Sequence, residues 1–189
     1  MSRISRHVAA ILWLAASGAQ AADEAVVPVD LQGTLLVKAA TYDRNFAARA
    51  GARAVILIVV KGDNVASTRV AAQLRALFAK LNDIGGVSHE EMVVTYSDAA
   101  SLAELCRLKH ASIVFLCPGL ADYIAAISDS LSGIDVLTAG AVAEYAAEGV
   151  VLAFDLVSGK PKILLNLSQA KKQHVAFVPE AMRLMTVYQ

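Results

Sequence analysis

Two stretches of this chain leave little freedom in what it can fold into. Ala54–Val60 is a continuous apolar, largely β-branched run, and residues 111–117 are nearly the same. A strand with one wet face alternates apolar and polar residues, because successive side chains point to opposite sides of the sheet. A run without alternation needs cover on both faces, as a parallel strand has when helices pack above and below it. Each run leads through a turn into a segment of helical period, so the pattern extends past the strands themselves.

Asp30 is the expected cap of a first helix, in which Leu31, Leu35, Ala39, Tyr42, Phe46 and Ala50 recur every three or four residues before Gly51 stops it. Lys61-Gly62-Asp63-Asn64 is a turn into a second helix carrying Val70, Leu74, Leu77 and Leu81 on one face. Residues 83–88, with Gly85-Gly86, read as the most mobile loop. A short strand is expected over residues 92–96, and a helix over 99–108, capped by Ser97 or Asp98. After Pro118-Gly119 the pattern gives a helix over 120–131, a fourth strand over 134–138 and a short helix ending before Gly149. Residues 150–157 and 161–167 are then two strands joined by the hairpin-length turn Ser158-Gly159-Lys160. A further segment, 168–174, precedes a terminal helix expected over 179–188. The whole reads as a three-layer α/β domain: a mostly parallel sheet flanked by helices, with a C-terminal antiparallel hairpin and a terminal helix.

The first 21 residues have a different character. Arg3 and Arg6 precede a short apolar run, and Ala19-Gln20-Ala21 ends it with small residues where a signal peptidase reads them. The expected organisation is a signal peptide over 1–21 cut between Ala21 and Ala22, a leader over 22–30, and one domain over 31–189. With no cysteine near the cut to carry a lipid, the product is expected to be soluble in the periplasm. The two cysteines, Cys106 and Cys117, fall near a helix end and at the far end of the following strand. That separation is about 20 Å at ~3.3 Å per residue, against the ~7 Å a disulfide allows between Cα atoms. Two buried, reduced thiols are expected.

Composition removes several functions. Hydrophobic residues are 57% of the chain and charged residues 18%, too apolar for disorder. Seventeen basic residues balance seventeen acidic ones, so a basic footprint for nucleic acid is missing. The turn after the first strand holds one glycine, Gly62, where a dinucleotide fingerprint needs three. His89-Glu90-Glu91 opens like a zinc-protease helix, but Val93 stands where the second ligand would be, so His89 reads as a solvated loop residue. His110 and His174 read as surface or capping residues. No nucleophile elbow is present. The expectation is therefore a protein with no catalytic residue, metal or cofactor.

Several stretches resemble the YfiR/HmsC-like family of small periplasmic proteins. They are the first helix from Leu36 to Phe46, the strand Ile56 to Val60 with Gly62-Asp63, and the apolar strand Ser112 to Leu116. The ending Ile163-Leu164-Leu165-Asn166-Leu167-Ser168-Gln169-Ala170, followed by Met182-Arg183-Leu184, is the nearest likeness. The chain departs from the family in lacking Trp-Pro after the first helix and in carrying Ala111 where relatives often have cysteine, so redox control by disulfides is not expected. The resemblance implies a periplasmic regulator that binds the sensor domain of an inner-membrane signalling protein, a diguanylate cyclase or a sensor kinase, and modulates cyclic di-GMP and biofilm formation. It leaves homodimerisation open.

Two surfaces are candidates for that work. Ligands in open parallel sheets sit beyond the carboxyl ends of strands, where strand order reverses. Here those ends are Lys61-Gly62-Asp63, Ser97-Asp98, Pro118-Gly119 and Thr138, a crevice suited to a small-ligand-binding domain, with Gly62, Asp63, Ser97, Asp98, Pro118, Gly119 and Thr138 as its candidate residues. The other surface is the hairpin edge, with Lys160, Lys162 and Asn166, suited to a protein partner. Asn166 also has a plainer reading, in which its amide ties down the turn into Ser168.

Overall fold

The two unalternating runs form the centre of the sheet. The computed structural model describes residues 27–188, so the expected cut between Ala21 and Ala22 lies outside the described residues. In chain order the elements are α1 (Val29–Thr41), α2 (Phe46–Ala50), β1 (Ala54–Val60), α3 (Val65–Phe78), β2 (His89–Thr95), α4 (Ala99–Lys109) and β3 (Ala111–Leu116). There follow a 3-10 turn (Ala121–Tyr123), α5 (Ile124–Leu131), β4 (Leu137–Gly140), α6 (Tyr145–Glu148), β5 (Leu152–Val157), β6 (Lys160–Asn166), α7 (Leu167–Lys172), α8 (Pro179–Met182) and β7 (Met185–Tyr188).

Seven strands make one sheet in the order β2-β1-β3-β4-β5-β6-β7. Strands β1 to β5 are mutually parallel, β6 returns antiparallel to β5, and β7 lies parallel to β6. Every residue of β1 and β3 is buried, which is what their lack of alternation demanded. The connections from β1 to β2 and from β2 to β3 run in opposite directions along the sheet. Since such crossovers are right-handed, α3 and α4 must cover opposite faces. Accordingly α1 packs on α3, and α4 packs on α5. Among the described residues no helix is long and apolar enough to cross a membrane.

Local chemistry sets the helix ends. Asn64 caps α3 by accepting from Ser67 N at 2.9 Å, and Asp98 caps α4 by accepting from Ser101 N at 2.8 Å. His110 closes α4 in the left-handed region with φ of 50°, a conformation usually left to glycine or asparagine.

Seven expectations need correction. The first helix begins at Val29 behind Pro28, so Asp30 sits in its first turn instead of capping it. Val27, assigned to a loose leader, is buried. The single helix expected up to Gly51 is broken into α1 and α2. Asp43 causes the break: its buried carboxylate accepts from Asn45 N and Ala176 N and pairs with Arg49 Nη1 at 2.6 Å. Phe46 and Ala50 still face the core, so the hydrophobic period carries across the break unchanged. His89 is no solvated loop residue. It opens β2, and its side chain, only 6% exposed, meets Leu81 O through Nε2 at 3.3 Å and Glu91 Oε1 through Nδ1 at 3.2 Å. The fourth strand is shifted to Leu137–Gly140, which moves Thr138 from a strand end into a strand interior. The expected terminal helix is only the four residues of α8; the chain then extends as β7 and satisfies the outer backbone groups of β6. The loop expected to be most mobile is anchored by Ile84, which is fully buried and bonded to Val87.

Candidate functional site

Strand order reverses between β1 and β3, and the turns that leave these strands form the expected mouth. The turn after β1 is bonded throughout. Lys61 N donates to Ser67 Oγ at 2.8 Å, while the Asn64 carboxamide caps α3. After β3, Pro118 is buried and Gly119 takes φ of +91°. The Asn64 side chain stands directly against Gly119: a Cβ there would lie 2.6 Å from Asn64 Nδ2. Asn64 thus plugs the point facing Gly119, with a hollow of about 200 Å³ beside Ser97 and Asp98 and another of about 340 Å³ beside Pro118 flanking it.

The remaining candidates divide around that plug. Gly62 lies against Thr95 at the end of β2, where a Cβ would be 3.0 Å from Thr95 Cγ2. Asp63 is exposed, 3.9 Å from Lys61 Nζ. Ser97 is exposed, and Asp98 is committed to α4, accepting from Ser101 N and from Ser101 Oγ. The backbone bond from Ser101 is the main reason the Asp98 carboxyl is held below its ordinary pKa. Thr138 does not belong to the mouth. Its hydroxyl is buried, donates to Gln173 Oε1 at 2.9 Å and accepts from Val151 N at 3.0 Å. It ties β4 to β5 and to the end of α7.

Lys61, which the sequence placed at a strand end, is joined at the mouth by two residues the sequence did not single out as site residues, Tyr96 and Tyr123. Lys61 Nζ stands 5.0 Å from the centre of the Tyr123 ring and 3.5 Å from its hydroxyl, and the Tyr96 and Tyr123 rings are 5.0 Å apart. Burial, and then the nearby Asp98 charge, push the Tyr96 phenol above its usual pKa. Tyr96 and Tyr123 come from different strand–helix turns, and only their position just after a strand or inside a turn could have marked them. A cation over an aromatic ring beside a second phenol can hold a planar or anionic group by stacking and hydrogen bonding.

The hairpin behaves differently from expectation. Lys160 and Lys162 are exposed as foreseen, but β6 is an inner strand from Ile163 onward, because β7 covers it. Asn166 follows its plainer reading. Its Oδ1 accepts from Gln169 N at 2.8 Å, capping α7, and its Nδ2 donates to Ala146 O at 2.8 Å.

A hollow of about 470 Å³ lies at the other end of the sheet, between α2, α4 and the approach to β4. Arg49, Cys106, Arg107, His110 and Asp135 line it. Its most buried cation, Arg49, is committed to structure, pairing with Asp43 and donating through Nη2 to His174 O at 3.2 Å. Burial pushes the Cys106 thiol up to about 12, and the Cys117 thiol likewise to about 12, so neither is a nucleophile near neutral pH.

No protein-family model matches the sequence, and no curated protein is similar to it. In fold the chain is similar to a conserved domain protein from Vibrio cholerae, with a TM-score of 0.58 and 13% identity over 86% of this chain. It is also similar to an ABC domain in complex with L-Trp from Streptococcus pneumonia, with a TM-score of 0.54 and 11% identity over 79% of this chain. The chain spans 60% of the first and 62% of the second. At such identities the likeness establishes the α/β architecture alone.

Proposed function

We propose that this chain is an exported regulator of the cell envelope that acts by docking on a membrane-bound signalling protein of the diguanylate cyclase or sensor-kinase class. The observation that carries this reading is the plugged switch point. At the switch point where sheets of this topology hold small ligands, Asn64 stands against Gly119, while exposed apolar side chains lie at Val65, Val93, Leu108 and Val157 and, grouped near the C-terminal edge, at Tyr42, Leu184, Val187 and Tyr188. A protein with its switch point plugged and a group of apolar side chains exposed at one edge is suited to recognising another protein. The resemblance of the first helix, the central strands and the Asn166-Leu167 ending to the YfiR/HmsC-like family supports the same reading, as does the signal-peptide pattern ahead of Ala22.

One observation favours a second reading, a small-ligand-binding domain. The Lys61, Tyr123 and Tyr96 group offers a stacking surface at the rim of the mouth, in a fold shared with a domain crystallised with L-Trp. Two measurements decide. Periplasmic material from expressing cells should begin at Ala22 and retain the periplasmic domain of a cyclase or kinase encoded beside the gene. Calorimetric titration with L-Trp should give no saturable heat; a Kd in the micromolar range, about −8 kcal/mol, favours the second reading.

A further inference from the structure

The sheet has two edges, and they are guarded differently. Strand β2 carries Glu90 and Glu91, with Glu90 paired to Arg53 at 3.0 Å, and inward-pointing or flanking charge is how natural edges avoid unwanted pairing. Strand β7 has no charged residue between Met185 and Tyr188. Leu184 is 73% exposed, Val187 41% and Tyr188 40%. Beside this edge an apolar groove of about 190 Å³ separates α1 from β6 and β7, floored by Leu35, Ile163 and Met185 and bordered by Tyr42 and Leu184. An unguarded edge next to an open apolar groove is a site for strand addition.

Charge selects the occupant. Lys38 lines the groove, Arg183 precedes the strand, and Lys160 and Lys162 extend from the part of β6 that β7 leaves uncovered. Among the described residues none of these four cations has a carboxylate within 4.0 Å, and the nearby acids are Glu180 and Asp155. A second copy paired through β7 would bring two such basic rims together across a twofold axis, where like charges repel.

We propose that the β7 edge receives an extended, acidic and apolar segment of the signalling partner, which adds to the sheet as an eighth strand. The proposal rests on the regulatory reading and gives it a surface. Met185 and Val187 lie in register with Ile163 and Leu165 on the α1 side of the sheet, so alternate apolar side chains of the incoming strand enter the groove. Its carboxylates meet Lys38, Arg183 and the hairpin lysines.

The test uses the mature protein, the periplasmic domain of an inner-membrane diguanylate cyclase from the same cell, and a synthetic seven-residue peptide alternating Val with Glu, with a Val–Lys counterpart. Leu184→Glu with Val187→Glu should leave the melting temperature unchanged and weaken binding of the domain about tenfold or more, the effect of losing an interface anchor. Lys160→Glu with Lys162→Glu should weaken it less and reduce its salt dependence. The Val–Glu peptide should slow hydrogen exchange at the Met185–Tyr188 amides, and the Val–Lys peptide should not. If the wild type binds the domain and the edge variants bind it equally well, the edge proposal is overturned while the regulatory reading stands. If the domain is not bound but the acidic peptide still protects these amides, the edge proposal survives and the regulatory reading falls. A wild-type dimer dissolved by Leu184→Glu, or amides already protected until residues 22–26 are removed, would overturn it in favour of a second copy or the chain's own leader.

Discussion

Replacing Gly119 by alanine tests whether the switch point is plugged as described. Two separate costs arise. Gly119 has φ of +91°, and an alanine forced into that region loses about 1–2 kcal/mol. Its Cβ would also lie 2.6 Å from Asn64 Nδ2 and 3.0 Å from Cγ, and pressing an atom into a packed site costs about 1–3 kcal/mol. The sum, about 2–5 kcal/mol, should lower the melting temperature by roughly 5–15 °C in a domain of this size. The two terms separate in a double-mutant cycle measured by urea unfolding. Asn64→Ala removes the α3 cap at a cost of about 0.5–2 kcal/mol and at the same time vacates the space facing position 119. In that background Gly119→Ala should cost only the backbone term, giving a coupling of about 1–3 kcal/mol. A coupling below about 0.5 kcal/mol would mean that Asn64 does not plug the mouth, and the main support for a surface-acting protein would be lost.

Other expectations follow from the same contacts. Thr138→Val keeps the shape but strands Val151 N and Gln173 Oε1 in the core, which should cost about 2–4 kcal/mol by denaturant unfolding. Asn166→Ala should cost about 1–3 kcal/mol, because it removes both the α7 cap and the bond to Ala146 O. Lys160→Glu with Lys162→Glu should change stability by no more than about 0.5 kcal/mol, as both side chains are exposed. The thiols predict a pH dependence. Both folded-state values are raised to about 12 by burial, so their contribution is complete below the ordinary value of 9.0 and is lost as pH rises from there toward 12. Urea midpoints should therefore fall above pH 9 in the wild type and fall less in a Cys106→Ala, Cys117→Ala variant; equal slopes would contradict the burial of these thiols.

What the sequence revealed follows from where burial is complete. Ala54–Val60 emerged at its full length because cover on both faces removes every polar position from the run. The three-layer order followed, since such strands need helices above and below. Edge strands carry a weaker signal. β2 opens with His89, Glu90 and Glu91, and with one flank against solvent its burial alternates, so its first half read as loop. β7 was missed because residues 179–188 begin with a proline at the start of a true helical turn and hold too few residues to distinguish periods of 3.6 and 2. Its strand state comes from pairing with β6, a tertiary effect. The mouth was legible as a location, through Gly62, Asp98 and Gly119, but its contents were not. Asn64 and Gly119 are 55 residues apart in the chain, and only the fold brings one against the other. The Lys61, Tyr96 and Tyr123 group has the same origin. Thr138 was misplaced because Ile134 and Val136 lengthen the apolar signal of β4 toward its start.

The regulatory claim is tested most directly by the cellular level of cyclic di-GMP in a strain lacking this gene, complemented with the wild type or with the Leu184→Glu, Val187→Glu variant. The level should rise on deletion, return with the wild type and stay high with the edge variant although that protein is exported and folded. A level unchanged by deletion would contradict the claim that this protein restrains a diguanylate cyclase.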